Sequence, residues 1–176
     1  MDKKVTLSIS LLISNRLDTI AKCLNSLEPI RQALPSELIL VDTSRNPAVH
    51  KLLQRYTDHI ISFDWCNDFA KARNAGLKEA SGEWFLYLDD DEWFTDSDAI
   101  IRFFTSGQYK EFGEACYVQR NYLDMEGLQY SDCWVSRMFR LTQDTHFVSK
   151  IHEYVEPVEG DRMALESIVD LSLIHI

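Results

Sequence analysis

Four consecutive acids, Asp89, Asp90, Asp91 and Glu92, close the apolar run in residues 81–94, SGEWFLYLDDDEWF. Carboxylates this close raise one another's pKa unless a counter-charge is present. A hard divalent cation with oxygen ligands is one natural partner. On an extended backbone Asp89 and Asp91 point to one side and Asp90 to the other, so the first and third acids could share an ion. A solvated acidic turn is the alternative, and the acids alone do not decide between them.

The elements that must position these acids are legible as hydrophobic patterns. Trp84, Phe85, Leu86, Tyr87 and Leu88 are apolar on both faces, as in a strand covered on both sides of a sheet. Ligands of open α/β sheets collect just outside the carboxyl ends of such strands. Residues 5–13 alternate apolar and small polar side chains, which predicts a first strand. The pair Lys3-Lys4 before them resembles a signal-peptide start, but Asn15-Arg16 follows where a small-residue cleavage site would stand. Leu17, Ile20, Leu24 and Leu27 have helical spacing, and the helix is expected to stop before Pro29. Residues 37–41 (ELILV) form a second buried strand ending at Asp42, and Pro47 opens a helix carrying Val49, Leu52, Leu53 and Tyr56. Residues 59–63 are a short third strand. Asn67 or Asp68 caps a helix with Phe69 and Ala72 on its apolar stripe, ending by Gly82. Residues 98–105 read as a further helix, and residues 115–122 and 133–141 as neighbouring strands. The fold class is therefore α/β, a mostly parallel sheet flanked by helices with an antiparallel edge element.

A chain of 176 residues is long enough for one domain with its own core. A net charge of −10 excludes the basic stripe that nucleic-acid binding requires. No apolar run reaches the length of a membrane span, leaving peripheral contact as the only expected membrane association. Cys23, Cys66, Cys116 and Cys133 have neither C-x-x-C nor zinc spacing, so reduced, mostly buried thiols in a cytoplasmic protein are expected.

Three segments, in order, carry a resemblance. SLLISNRLDTIAKCLNSL, ELILVDTS and WCNDFAKARNAGLKEASGEWFLYLDDDE are similar to the first strand and helix, the nucleotide-binding second strand, and the A-R-N-x-G-L helix with its D-x-D strand, of family 2 glycosyltransferases. Residues 5 to about 157 thus resemble the catalytic domain of that inverting, A-type nucleotide-sugar family. RMFRLTQDTHFVSKIHEYVE further resembles the R-x-F-R … H-E ending of the subgroup typified by lipopolysaccharide-core and peptide S-glycosyltransferases.

The resemblance implies a nucleotide-sugar donor, a UDP-sugar in the first instance, with Mn²⁺ or Mg²⁺ as cofactor, in bacterial cell-surface glycan synthesis. The acceptor would be a glycan, a lipid-linked sugar or a peptide. Asp42 would accept a hydrogen bond from the uracil imide, or simply cap the turn into Thr43-Ser44. Asn15 would line the base or ribose pocket, or cap the next helix. Arg73, with Asn74 beside it, would pair with phosphate or an acid, a surface salt bridge being the plain alternative. Asp89 would sit near ribose or metal, Asp91 on the metal, and His152 would complete the metal site or orient the diphosphate. Arg137 and Arg140, read as sharing one strand face opposite Phe139, would support the diphosphate. Glu153 is the first expected general base and Asp132 the second.

The catalytic domain is expected over residues 1–160, with 161–176 a tail. Its last six residues, LSLIHI, look like the in-frame translation of a sequencing-library adapter, which would make them non-native and the domain incomplete. A nucleotidyltransferase should carry a Gly- and Arg-rich loop where Ser14-Asn15-Arg16-Leu17 stands, and a haloacid-dehalogenase-type phosphatase should carry its acids on the first strand. A degenerate or truncated nucleotide-sugar-binding module without turnover is the remaining alternative.

Overall fold

The structure, a computed structural model, describes residues 4–124 and 126–171. Strand β1 (Leu7–Ile13) is buried at every position because it has a parallel neighbour on each side, β2 (Ser36–Asp42) and β4 (Trp84–Asp89). Leu12 lies level with Asp89, and Ile13 with Asp42, so the loops leaving these three strands emerge together. Strand β3 (Ile60–Ser62) pairs outside β2.

The helices follow the predicted periodicity. Helix α1 (Leu17–Ser26) ends where expected, but the chain does not leave helical geometry there. Pro29 lies in the first turn of α2 (Glu28–Ala33), where a missing N–H costs nothing. Asn46 caps α3 (Pro47–Leu53), and Asp68 caps α4 (Phe69–Leu77) by accepting from the Lys71 N–H. Gly76 permits α4 to press on the sheet: a Cβ there would come within 2.4 Å of Ser10 Oγ. Helix α5 (Asp98–Thr105) covers the other face, where Phe103 and Phe104 meet Trp84 edge-on.

The antiparallel portion is larger than the sequence suggests. After β4 comes β5 (Glu92–Asp96), then β6 (Glu114–Tyr122), β7 (Tyr130–Arg140) and β10 (Arg162–Leu171), giving one sheet ordered β3-β2-β1-β4-β7-β6-β10-β5. A two-stranded ladder of β8 (His146–Val148) and β9 (Tyr154–Glu156) packs separately. Two residues join β4 to β5, yet three strands stand between them in the sheet. Only strong curling can bring the last strand back beside the fourth. That curl gathers side chains from β5, β6 and β7 around the end of β4.

Two expectations change. Arg162–Leu171, set apart in the sequence reading as tail, form a strand inside the sheet with Leu165 and Val169 buried; residues 172–176 of the suspected adapter lie outside the described residues. The thiols are evenly divided rather than mostly buried, Cys23 and Cys116 inside and Cys66 and Cys133 exposed.

Candidate active site

A cavity of about 660 Å³ opens at the carboxyl ends of β1, β2 and β4, the point where strand order reverses about β1. Asp89, Asp90, Asp91 and Glu92 form one wall. Three arginines supply much of the counter-charge that this acid cluster needs. Arg73, on α4 and only 2% exposed, places Nη2 2.5 Å from Asp89 Oδ1 and Nε 3.2 Å from Glu153 Oε1, and donates from Nη1 to the Leu88 carbonyl. Arg137 lies 3.2 Å from Glu92 and 3.7 Å from Asp89. Arg16 donates to Asp91 and stands 3.6 Å from Asp90.

Local geometry explains each placement. Opposite Ala115 and Cys116, β7 presents Met138 and Ser136, leaving Arg137 as the extra residue of a bulge that turns its side chain to the cavity. Arg140, three residues on, instead donates to the Tyr109 carbonyl and is exposed, so the two arginines do not share a face. Arg73 and Arg137 both lie over the Tyr87 ring, at 4.9 and 4.8 Å. Burial opposes ionisation of Asp89, yet Arg73 and Arg137 hold its carboxyl below the usual carboxylate range. Burial dominates at Glu92 and Asp90 and raises both, although Asp90 accepts from the Ser14 N–H and Oγ at 2.6 and 2.8 Å. Asp90 therefore ties β4 to β1, whereas Asp89 and Asp91 face the cavity's cations.

Residues 8–146 match the family described as Glycosyl transferase family 2. The chain belongs to that family. Over 173 residues it is 28% identical to the SPbeta prophage-derived glycosyltransferase SunS of Bacillus subtilis (strain 168), covering 97% of this chain and 39% of SunS. Over 92 residues it is 34% identical to the uncharacterized glycosyltransferase YwdF of the same strain, 51% of this chain and 34% of YwdF. The chain thus spans well under half the length of these relatives. Its fold is similar to that of S. aureus TarS 1-349 in complex with UDP, with a TM-score of 0.54, 19% identity, and coverage of 71% of this chain and 38% of that one.

Against this family frame the expected site residues separate into three groups. Asp89, Asp91, Asn15 and Arg137 line the main cavity, with Arg73 directly behind Asp89. Glu153 and His152 line an adjoining cavity of about 470 Å³, which shares Asp89, Arg137 and Phe69 with the first. His152 adopts a φ of 56°, an uncommon conformation for a non-glycine residue, and its side chain is exposed. The others sit elsewhere. Asp42 accepts from the Ser44 N–H and Oγ at 2.9 and 2.6 Å, the turn-capping arrangement, and borders a separate shallow hollow. Asn74 uses its side-chain amide on the backbone of β8, donating to the Phe147 carbonyl at 2.9 Å and accepting from the Phe147 N–H at 2.8 Å. Asp132 forms a two-pronged pair with Arg120, both bonds 2.9 Å, on β6 and β7 and on neither cavity wall.

Sequence reasoning missed Arg16 and Gln119, and counted Glu92 among the acids without giving it a role of its own. Glu92 accepts from the Asp89 N–H at 2.9 Å and from Gln119, so it fixes the turn that presents Asp89. Its position beside the motif was a usable signal; for Gln119 no local signal exists. As for a metal, no three His, Cys, Asp or Glu side chains converge to hold one among the described residues. Asp89 and Asp91 are hard oxygen donors on one cavity wall, which fits an Mg²⁺-type ion whose remaining ligands are phosphate and water rather than a protein cage.

Proposed function

We propose that this chain is a metal-dependent glycosyltransferase acting in the cytoplasm, transferring a sugar from a UDP-sugar to an acceptor with inversion at the anomeric carbon. One observation carries the reading: a cavity at the switch point of a family 2 fold has carboxylates and guanidinium groups facing each other across one wall. Such a wall can take a diphosphate, because Arg16 and Arg137 can exchange a carboxylate oxygen for a phosphate oxygen without losing a charge partner. The solved complexes of TarS with UDP and with UDP-GlcNAc support this donor class. Mn²⁺ or Mg²⁺ would be held by Asp91 and Asp89 and would supply Lewis-acid stabilisation of the leaving diphosphate.

The base follows from the adjoining cavity. Glu153 lies on its wall, 12% exposed, and Arg73 fixes one of its oxygens. An acceptor entering there would give its proton to Glu153 as its nucleophilic atom bonds to the anomeric carbon. The bond from that carbon to the diphosphate oxygen breaks on the opposite face, and UDP departs. Asp132, whose carboxylate is bound to Arg120 and lines neither cavity, has no part in this reading. Four unpaired thiols are consistent with a reducing compartment, and no helix among the described residues is long and apolar enough to cross a membrane.

Calorimetric titration of UDP, with and without Mn²⁺, tests the reading. Metal-enhanced binding that Asp91→Asn weakens by about tenfold or more is expected, one charge-assisted contact being worth at least about 1.4 kcal/mol. UDP binding that ignores both the metal and the substitution would return the acids to a structural role.

A further inference from the structure

The loop between β3 and α4 carries one large aromatic side chain that the donor site described above leaves without a role. Trp65 is 39% exposed and lines the main cavity. An indole left this open is not there to build the core. Nor is it loose. Its Nε1–H donates to Asn67 Oδ1 at 3.1 Å, and its ring meets Phe69 edge-on, with centroids 4.8 Å apart at 76°. Asn67 itself takes a left-handed φ of 56°, a conformation that Asn tolerates better than most residues and that closes the short loop back on the indole. The loop therefore spends its own hydrogen bond on the indole nitrogen and leaves ring surface facing the cavity. An aromatic ring held in this way is prepared for stacking rather than for donating a hydrogen bond.

The order of the strands says what would stack there. From the sheet edge inward, the loop after β3 brings Trp65, the loop after β2 brings Thr43 and Ser44, and the loop after β1 brings Asn15 and Arg16. The turn after β4, with Arg137 of β7, brings the ions. Chemical character thus runs from aromatic, through hydroxyl and amide, to charged. A nucleoside diphosphate has the same sequence of character: a flat base, a hydroxylated ribose, then the diphosphate.

We infer that Trp65 is the stacking platform for the pyrimidine ring of the donor nucleotide and sets a large share of the affinity for the nucleoside end. This rests on the donor-site reading above, and it assigns a donor-binding residue that the charged motif does not contain. Stacking is tolerant of which base is present, so Trp65 would give affinity for a planar ring, and polar groups at its edge would choose among bases.

The test titrates the full chain in Mg²⁺ buffer with two probes, UDP and inorganic pyrophosphate, for the unaltered protein, Trp65→Ala and Trp65→Phe. UDP should quench tryptophan fluorescence of the unaltered chain, and that change should largely vanish in Trp65→Phe, although Trp84, Trp93 and Trp134 remain. Trp65→Ala should weaken UDP by about tenfold or more, the size of one base–aromatic stack, and leave pyrophosphate within about twofold. Trp65→Phe should recover most of the UDP affinity. Unchanged UDP affinity in Trp65→Ala, or equal loss for both probes, overturns the inference while the donor site stands. An alanine variant that loses only affinity for the intact UDP-sugar, not for UDP, also overturns it, since the ring would then face the sugar. Failure of both probes to bind the unaltered chain removes the donor-site reading itself and this inference with it.

Discussion

Two of the arginine–aspartate pairs on this fold, at 2.5 and 2.9 Å, sit in different surroundings. Arg73 meets Asp89 behind the main cavity, and Arg120 meets Asp132 across β6 and β7. In the first pair the guanidinium is 2% exposed and is shared with a second acid and a backbone carbonyl. In the second, 24% of the arginine meets solvent, while the two aspartates are alike at 35% for Asp89 and 37% for Asp132. The first is a strut whose removal would leave charge stranded in protein. The second is a surface pair, strengthened by its fork geometry and by Tyr130, 4.0 Å from the guanidinium, but screened by water and salt. What separates the two is the curl of the sheet, which encloses the end of β4 and leaves the middle of the β6–β7 ladder outside.

The sharpest way to exploit the contrast is through the acid that shares Arg73. Glu153→Gln keeps the side chain's size and a hydrogen-bond acceptor for Arg73 but cannot accept the acceptor's proton. Turnover is expected to fall by about 10²–10⁴-fold, with UDP affinity within about threefold. Steady-state rates of UDP release beside a UDP titration would check this. Full turnover in that variant would move the base elsewhere and break the link between burial and role. Next in size is Arg73→Met, which fills similar volume but strands Asp89 and Glu153. Asp89 keeps Arg137 and is 35% open, so the loss should sit below the usual range for a broken buried pair, at about 2–3 kcal/mol in chemical denaturation. A change under about 0.5 kcal/mol would mean that Arg137 alone carries the cluster.

The same contrast accounts for what the sequence disclosed. Strands β2 and β4 carry continuous apolar runs, β1 alternates apolar with small polar residues, and α5 is amphipathic, so these elements were readable to within a residue or two. Strand β5 reads as EWFTD, an acidic continuation of the motif, and pairs only through the curl. Strand β10 carries a register break between Leu165 and Ile168, which destroys its alternation along RMALESIVDL. Of the site, Asp89, Asp91 and Arg73 were legible because they fall within nineteen residues of one helix–strand unit, residues 73–91. Arg137 and Arg140 were read as equivalent, and only the bulge and its neighbours show that one faces Asp89 and the other solvent. Asp132 looked like a base because it is a carboxylate just before an aromatic strand residue. Its partner, twelve residues earlier on β6, could not be seen without the ladder register.

Asp132 therefore supplies the smallest effect and the most direct challenge to the comparison. Arg120 holds the Asp132 carboxyl below the usual range by hydrogen bonding to it, so the group is ionised at neutral pH and already fully engaged. A general base needs a free lone pair aimed at the acceptor, and here both oxygens point to the guanidinium. Asp132→Asn removes the charge but can still accept one bond from Arg120. Stability should change by less than about 0.5 kcal/mol, and turnover by less than about twofold. If instead Asp132→Asn stops turnover while Glu153→Gln does not, the acceptor must approach along the outer face of β6 and β7. Exposure would then be the mark of the catalytic acid, and the buried Arg73 pair a scaffold only.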